Sequence, residues 1–102
     1  MRVAAVVVDT RVREIGVDDG PECLRKLVGG NVERLAVGEG IVGYLNAEAD
    51  ELPANPLADR LLSQLGVGIV DGVRGTLVLL GVSGGGHADT PGIVRDIARR
   101  LQ

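Results

Sequence analysis

Three of the four prolines in this chain directly follow a turn or capping residue, at Gly20-Pro21, Asn55-Pro56 and Thr90-Pro91. Proline at the first helical position gives up no needed hydrogen bond and its φ is already set for a helix, so each pair predicts a helix start. At Asp18-Asp19-Gly20-Pro21 an aspartate offers the capping oxygen. The helix that follows places Cys23, Leu24, Leu27 and Val28 on one face and stops at Gly29-Gly30. After Asn55-Pro56, Leu57, Leu61 and Leu65 form a stripe at intervals of four, and Gly66 ends it. After Thr90-Pro91, Ile93, Val94, Ile97, Ala98 and Leu101 share a stripe while Arg95, Arg99 and Arg100 lie off it, and cations in a last turn suit the helix dipole.

The segments between these helices read as strands. Val3 to Val8 is a continuous run of valine and alanine, as expected of a strand covered on both faces, and Asp9-Thr10 turns it into Val12 to Val17. Val32 to Val37 and Ile41 to Asn46 are joined by Gly38-Glu39-Gly40, with Leu35 and Val37 on one face and Arg34 on the other. Ala47 to Ala54 is a polar loop. Asp71-Gly72 turns into Val73 to Val82, expected as the longest strand, and Ser83 to Asp89 is a glycine-rich loop. The order ββαββαβα predicts a single α+β domain over residues 1–102. It should hold a mixed, mostly antiparallel sheet of about five strands, with three helices packed mainly on one face.

Hydrophobic residues are 45% of the chain, yet there is one Tyr and no Phe or Trp, so the core is built from Val, Leu, Ile and Ala. The single cysteine, Cys23, excludes an internal disulfide, and no Cys/His cluster has zinc-site spacing. Neither a metal nor another cofactor is expected, and a reducing cytoplasm is the expected compartment. The first apolar run is too short for a membrane span and lacks a signal-cleavage pattern. A net charge of −3, with Tyr44 as the only aromatic residue, argues against nucleic-acid binding. Ten of the eleven basic residues are Arg in a chain rich in Ala, Val and Gly, which suggests a GC-rich genome such as that of an actinobacterium or its phage.

Few residues carry candidate chemistry. His87 is the only histidine, and with Ser83 and Asp89 it supplies the residue types of a hydrolytic triad. The three lie on one loop without a scaffold to hold them, so no enzyme is expected. The same loop, through Ser83, Gly85, His87 and Thr90, could turn backbone N–H groups toward an anion ahead of the third helix, although no Walker lysine or G-x-G-x-x-G spacing is present. Cys23 reads as a small packed apolar residue rather than a reactive thiol. Arg95 and Arg99 on the third helix could dock a protein partner, or simply form a solvated face.

Four blocks recur in a recognisable order: Val28-Gly29-Gly30-Asn31-Val32-Glu33, Asn46-Ala47-Glu48, Leu52-Pro53-Ala54-Asn55 and Gly75-Thr76-Leu77-Val78-Leu79-Leu80-Gly81. This order resembles a family labelled domain of unknown function 3846, found in bacteriophages, mobile elements and their hosts. Ala49 stands where that family has Gly, and the family's Lys is absent. The resemblance makes Asn46, Glu48 and Asn55 binding candidates, although a cap at Asn55 and a turn at Asn46 account for both residues structurally. It implies a non-enzymatic accessory protein that acts by binding a protein partner or by forming a homodimer. The alternative expectation is a small anionic ligand, such as a nucleotide, at residues 83–90.

Overall fold

The computed structural model describes residues 2–8, 10–38 and 40–102. Asp9 of the first expected turn and Glu39 of the second lie outside the described residues. The elements are β1 (Arg2–Val8), β2 (Arg11–Val17), α1 (Pro21–Val28), β3 (Val32–Gly38), β4 (Ile41–Asn46), α2 (Pro56–Gln64), β5 (Leu77–Ser83), β6 (Gly86–Ala88) and α3 (Gly92–Leu101). The α+β class and the order of elements are as expected, with one added strand. Every pairing is antiparallel, in the order β2-β1-β5-β4-β3, with β6 also on β5. Gly81 pairs with both Ile41 of β4 and Ala88 of β6, so β4 and β6 flank β5 on opposite edges.

The continuous apolar runs occupy the centre of the sheet, where both faces are covered. Ala4 to Val7 of β1, all of β4 and Leu77 to Gly81 of β5 are buried. The edge strands β2 and β3 instead mix exposed and covered positions, because one of their flanks meets water. Alternation along the strands sends two sets of side chains to opposite faces. Ala5, Val7, Leu77 and Leu79 pack with Leu57, Leu61, Leu62, Val94 and Ile97, so α2 and α3 cover one face. Ala4, Val6, Val78 and Leu80 pack with Leu24 and Val28, so α1 covers the other. Two helices share a face as expected, and α1 crosses to the opposite side. Because α1 is only eight residues long, it covers that face incompletely. Among the described residues no helix is long and apolar enough to cross a membrane.

Four local expectations are corrected. At the third helix Pro91 takes the cap position, the helix begins at Gly92 and no side chain caps it, so Thr90 does not serve as the expected cap. The last long strand begins at Leu77 rather than Val73: Gly75 has φ +76°, which a ladder cannot accommodate, and the preceding segment makes only the isolated Ala54–Arg74 bridge. Ser83 to Asp89 is not an open loop. Gly84 and Gly85, with φ of +59° and +81°, make a two-residue turn with two positive φ values, which closes the β5–β6 hairpin. At the first helix the capping position is Gly20, and the Asp18 carboxylate accepts from the Gly20 N–H at 3.0 Å, bracing the turn before the helix. Cys23 packs against the α1-side cluster.

Candidate functional site

Tyr44 sits on β4, on the face that α1 covers in part, and its residue exposure is 7%. A phenol this buried must spend its O–H on a partner, and the surroundings are aliphatic. The partner is His87 of β6, which reaches across β5 to bring Nε2 within 2.5 Å of the Tyr44 Oη. The two rings meet edge to face, with centroids 5.5 Å apart. On its other side His87 places Nδ1 2.9 Å from Oδ2 of Asp19, in the turn between β2 and α1. An ionised carboxylate only accepts, so Nδ1 carries the proton and donates to Asp19; in the neutral imidazole the Nε2 lone pair then accepts from the phenol. The hydrogen bond from His87 holds the Asp19 carboxyl below its ordinary range. Residues 19, 44 and 87 thus form one hydrogen-bonded relay that joins β4, β6 and the turn before α1.

The relay borders an open cleft of about 590 Å³. Pro21, Leu24 and Arg25 of α1 form one wall, and Val32 and Arg34 of β3 form another. Arg34 is the cross-strand partner of Tyr44, so both side chains leave the same face of the sheet. An adjoining recess of about 420 Å³ shares Asp19, Arg34, Tyr44 and His87 and is lined further by Val82 and Gly86. The ion pairs among the described residues are His87–Asp19 and Arg95–Glu14, so neither Arg25 nor Arg34 is neutralised by a described carboxylate. The cleft therefore combines two available guanidinium groups, an apolar wall and a hydrogen-bonding relay. That mixture suits a ligand with an anionic group and an apolar body.

Two of the residues singled out in the sequence enter this site: His87, and Gly85, which lines the adjoining recess. The trio Ser83, His87 and Asp89 is pulled apart. Ser83 is exposed at the hairpin end, and Asp89 accepts from the Val3 N–H at 2.8 Å. Gly85 shapes the turn that brings β6 back along β5. Thr90 is buried with its hydroxyl unpartnered, and its N–H donates to the Val3 carbonyl. Asn46 holds the end of α1, donating to the Val28 carbonyl at 3.2 Å and accepting from the Glu48 N–H at 2.8 Å. Glu48 accepts from the Asn31 side chain at 2.6 Å. Asn55 is 2% exposed, caps α2 through Ala58, and donates to the carbonyls of Val7 and Gly75. Arg95 grips Glu14 of β2 with two bonds of 2.6 and 2.8 Å, while Arg99 is exposed on α3.

Asp19, Arg25, Arg34 and Tyr44 were not among the sequence candidates. A signal for Tyr44 was present: it is the one phenol in a strand of otherwise aliphatic character, in a chain with one histidine. No family model, curated protein or solved structure matches the chain, so the resemblance to domain of unknown function 3846 stands on its residue blocks alone.

Proposed function

We propose that this protein binds a small ligand bearing an anionic group in the cleft between α1, β3 and β6. The observation that carries this reading is that Arg25 and Arg34 line the same cavity as the Tyr44–His87–Asp19 relay. The guanidinium groups supply charge-assisted bonds to the anion. Pro21, Leu24 and Val32 supply apolar contact for the rest of the ligand. Residues 83–90 take part by presenting His87, not by cradling the anion with loop amides.

The test is thermal denaturation with inorganic phosphate and with p-nitrophenyl phosphate. A ligand bound only by the folded state, at a hundredfold excess over its Kd, stabilises by about 2.7 kcal/mol. For a chain of this length that corresponds to a rise in Tm on the order of 10 °C. The Arg34→Ala and Arg25→Ala variants should lose most of that rise, and an unchanged Tm with both ligands in the parent protein would contradict the reading.

A second reading is favoured by the open edges of β2 and β3, which terminate the sheet order. A second copy adding along β3 would make the homodimer expected of a docking module, and the resemblance would place such a module among phage accessory proteins. Light scattering combined with amide exchange tests it: dimers with protected β3 amides support it, and a monomer at high concentration removes it.

A further inference from the structure

We propose that Tyr44 is a nucleophile whose hydroxyl, with His87 as its base and Asp19 orienting that base, accepts the phosphoryl group of a phosphate monoester held in the cleft. The proposal rests on the anion-binding reading and goes beyond it, from binding to group transfer.

A weak hydroxyl nucleophile is activated when a base lies within hydrogen-bond reach and a third group fixes that base. Both conditions hold: His87 Nε2 is 2.5 Å from the phenol oxygen and Nδ1 is 2.9 Å from the Asp19 carboxylate. The chain's only tyrosine and only histidine meet here, on a sheet face otherwise packed with aliphatic side chains. Burial at 7% exposure makes a free phenolate costly, so the proton leaves only as attack proceeds. Tyr44 nevertheless lines both the cleft and the adjoining recess, so an electrophile in either meets it.

The charged groups beside the phenol select the electrophile. Acyl transfer develops one oxyanion and is served by a pair of N–H donors, whereas phosphoryl transfer spreads charge over three oxygens and is served by cations. Arg34, directly across from Tyr44, and Arg25 on the facing wall match the second case. In the step, a bond forms between Tyr44 Oη and phosphorus as the bond from phosphorus to the ester oxygen breaks. The phenol proton moves to His87 Nε2, where Asp19 stabilises the imidazolium, while the departing alcohol oxygen, in line on the far side of phosphorus, takes its proton from solvent water. Water then attacks from the side the alcohol left and gives its proton to solvent, the P–O bond to Tyr44 breaks, the imidazolium returns its proton to the phenol, and inorganic phosphate leaves.

The experiment mixes the protein with p-nitrophenyl phosphate, quenches in acid, and follows both p-nitrophenolate release and the intact mass, with peptide mapping of any adduct. The expected result is a single phosphoryl group on Tyr44, or turnover that Tyr44→Phe abolishes. His87→Gln should slow release by about a hundredfold or more. Asp19 is a positioning residue, so Asp19→Asn should slow release and move its pH profile, and Asp19→Glu should recover part of the rate. Should Tyr44→Phe fail to fold, the mapped attachment site in the parent protein decides. A rise in Tm with p-nitrophenyl phosphate but no release above buffer would overturn the nucleophile and leave the binding site standing. Absence of both would overturn the two together, and release that persists in a folded Tyr44→Phe protein would remove Tyr44 from the chemistry.

Discussion

Single side chains in this protein do work that their sequence context announces only in part. The Asn55-Pro56 pair announces a cap, and Asn55 does accept from the Ala58 N–H. Its amide also donates to Val7 and Gly75, carbonyls far away in sequence, which no local pattern encodes. Asn55→Ala should therefore cost more than a lost cap. With about 1 kcal/mol for the cap and 1–3 kcal/mol for each of the two carbonyls left unpaired, a loss of at least roughly 3 kcal/mol in urea denaturation is expected. Asn55→Asp keeps the cap but cannot donate, so it should recover little of that loss. Gly81 is a second case. A Cβ there would lie too close to the Asp89 carbonyl, on the backbone that leaves β6 for α3. Gly81→Ala should lower the urea midpoint far more than Gly68→Ala, whose Cβ would meet nothing within 4 Å. The relay follows the same logic: His87 could be flagged from the sequence, but Asp19 and Tyr44 join it only through tertiary pairing.

At the scale of elements, helix starts and stops were largely legible, because proline, glycine and asparagine act through the backbone of their own neighbourhood; the exception is α3, where Pro91 holds the cap position rather than the first helical one and the Thr90 hydroxyl caps nothing. Gly29, with φ +81°, closes α1, and Gly66, with φ +85°, follows α2, both where expected. The glycine-rich segment was harder. Composition marks Gly84-Gly85 equally as a loose loop or as a tight turn, and the deciding factor is the free edge of β5 beyond the end of β1. Across elements, the Arg95–Glu14 pair ties α3 to edge strand β2, and the hydrogen bond from Arg95 holds the Glu14 carboxyl below its ordinary value of 4.5. Asp19 is lowered from 3.8 in the same sense by His87. A carboxyl with a lowered folded pKa adds stability above its unfolded pKa and loses it as pH falls through the folded value. The acid limb of stability below about pH 4.5 should therefore be shallower in Arg95→Ala and in His87→Ala than in the parent protein, as read from urea midpoints between pH 6 and pH 2. Equal slopes in all three would remove both pairs from the acid response.

For the whole molecule, the sequence reveals which strands are central without revealing their neighbours. Runs such as Ala4 to Val7 and Leu77 to Leu80 report burial on both faces. That β5 inserts between β1 and β4 depends on long-range pairing, and it places His87 and Tyr44 on opposite flanks of one strand. Leu79 lies at the middle of that arrangement and is fully buried, so Leu79→Ala should cost about 2–5 kcal/mol and be felt across the sheet. The short α1, alone on its face, leaves the space that becomes the cleft. The proposed role of this cleft is to take an anion against Arg34 and the relay. Since the chain has one histidine, the imidazole resonances of His87 report on the site without assignment ambiguity. Titration of the labelled protein with inorganic phosphate, followed by nitrogen and carbon NMR of that ring, tests the claim most directly. Saturable shifts that Arg34→Ala suppresses are expected; resonances unmoved through the titration, at constant pH and ionic strength, would rule out anion binding in the cleft.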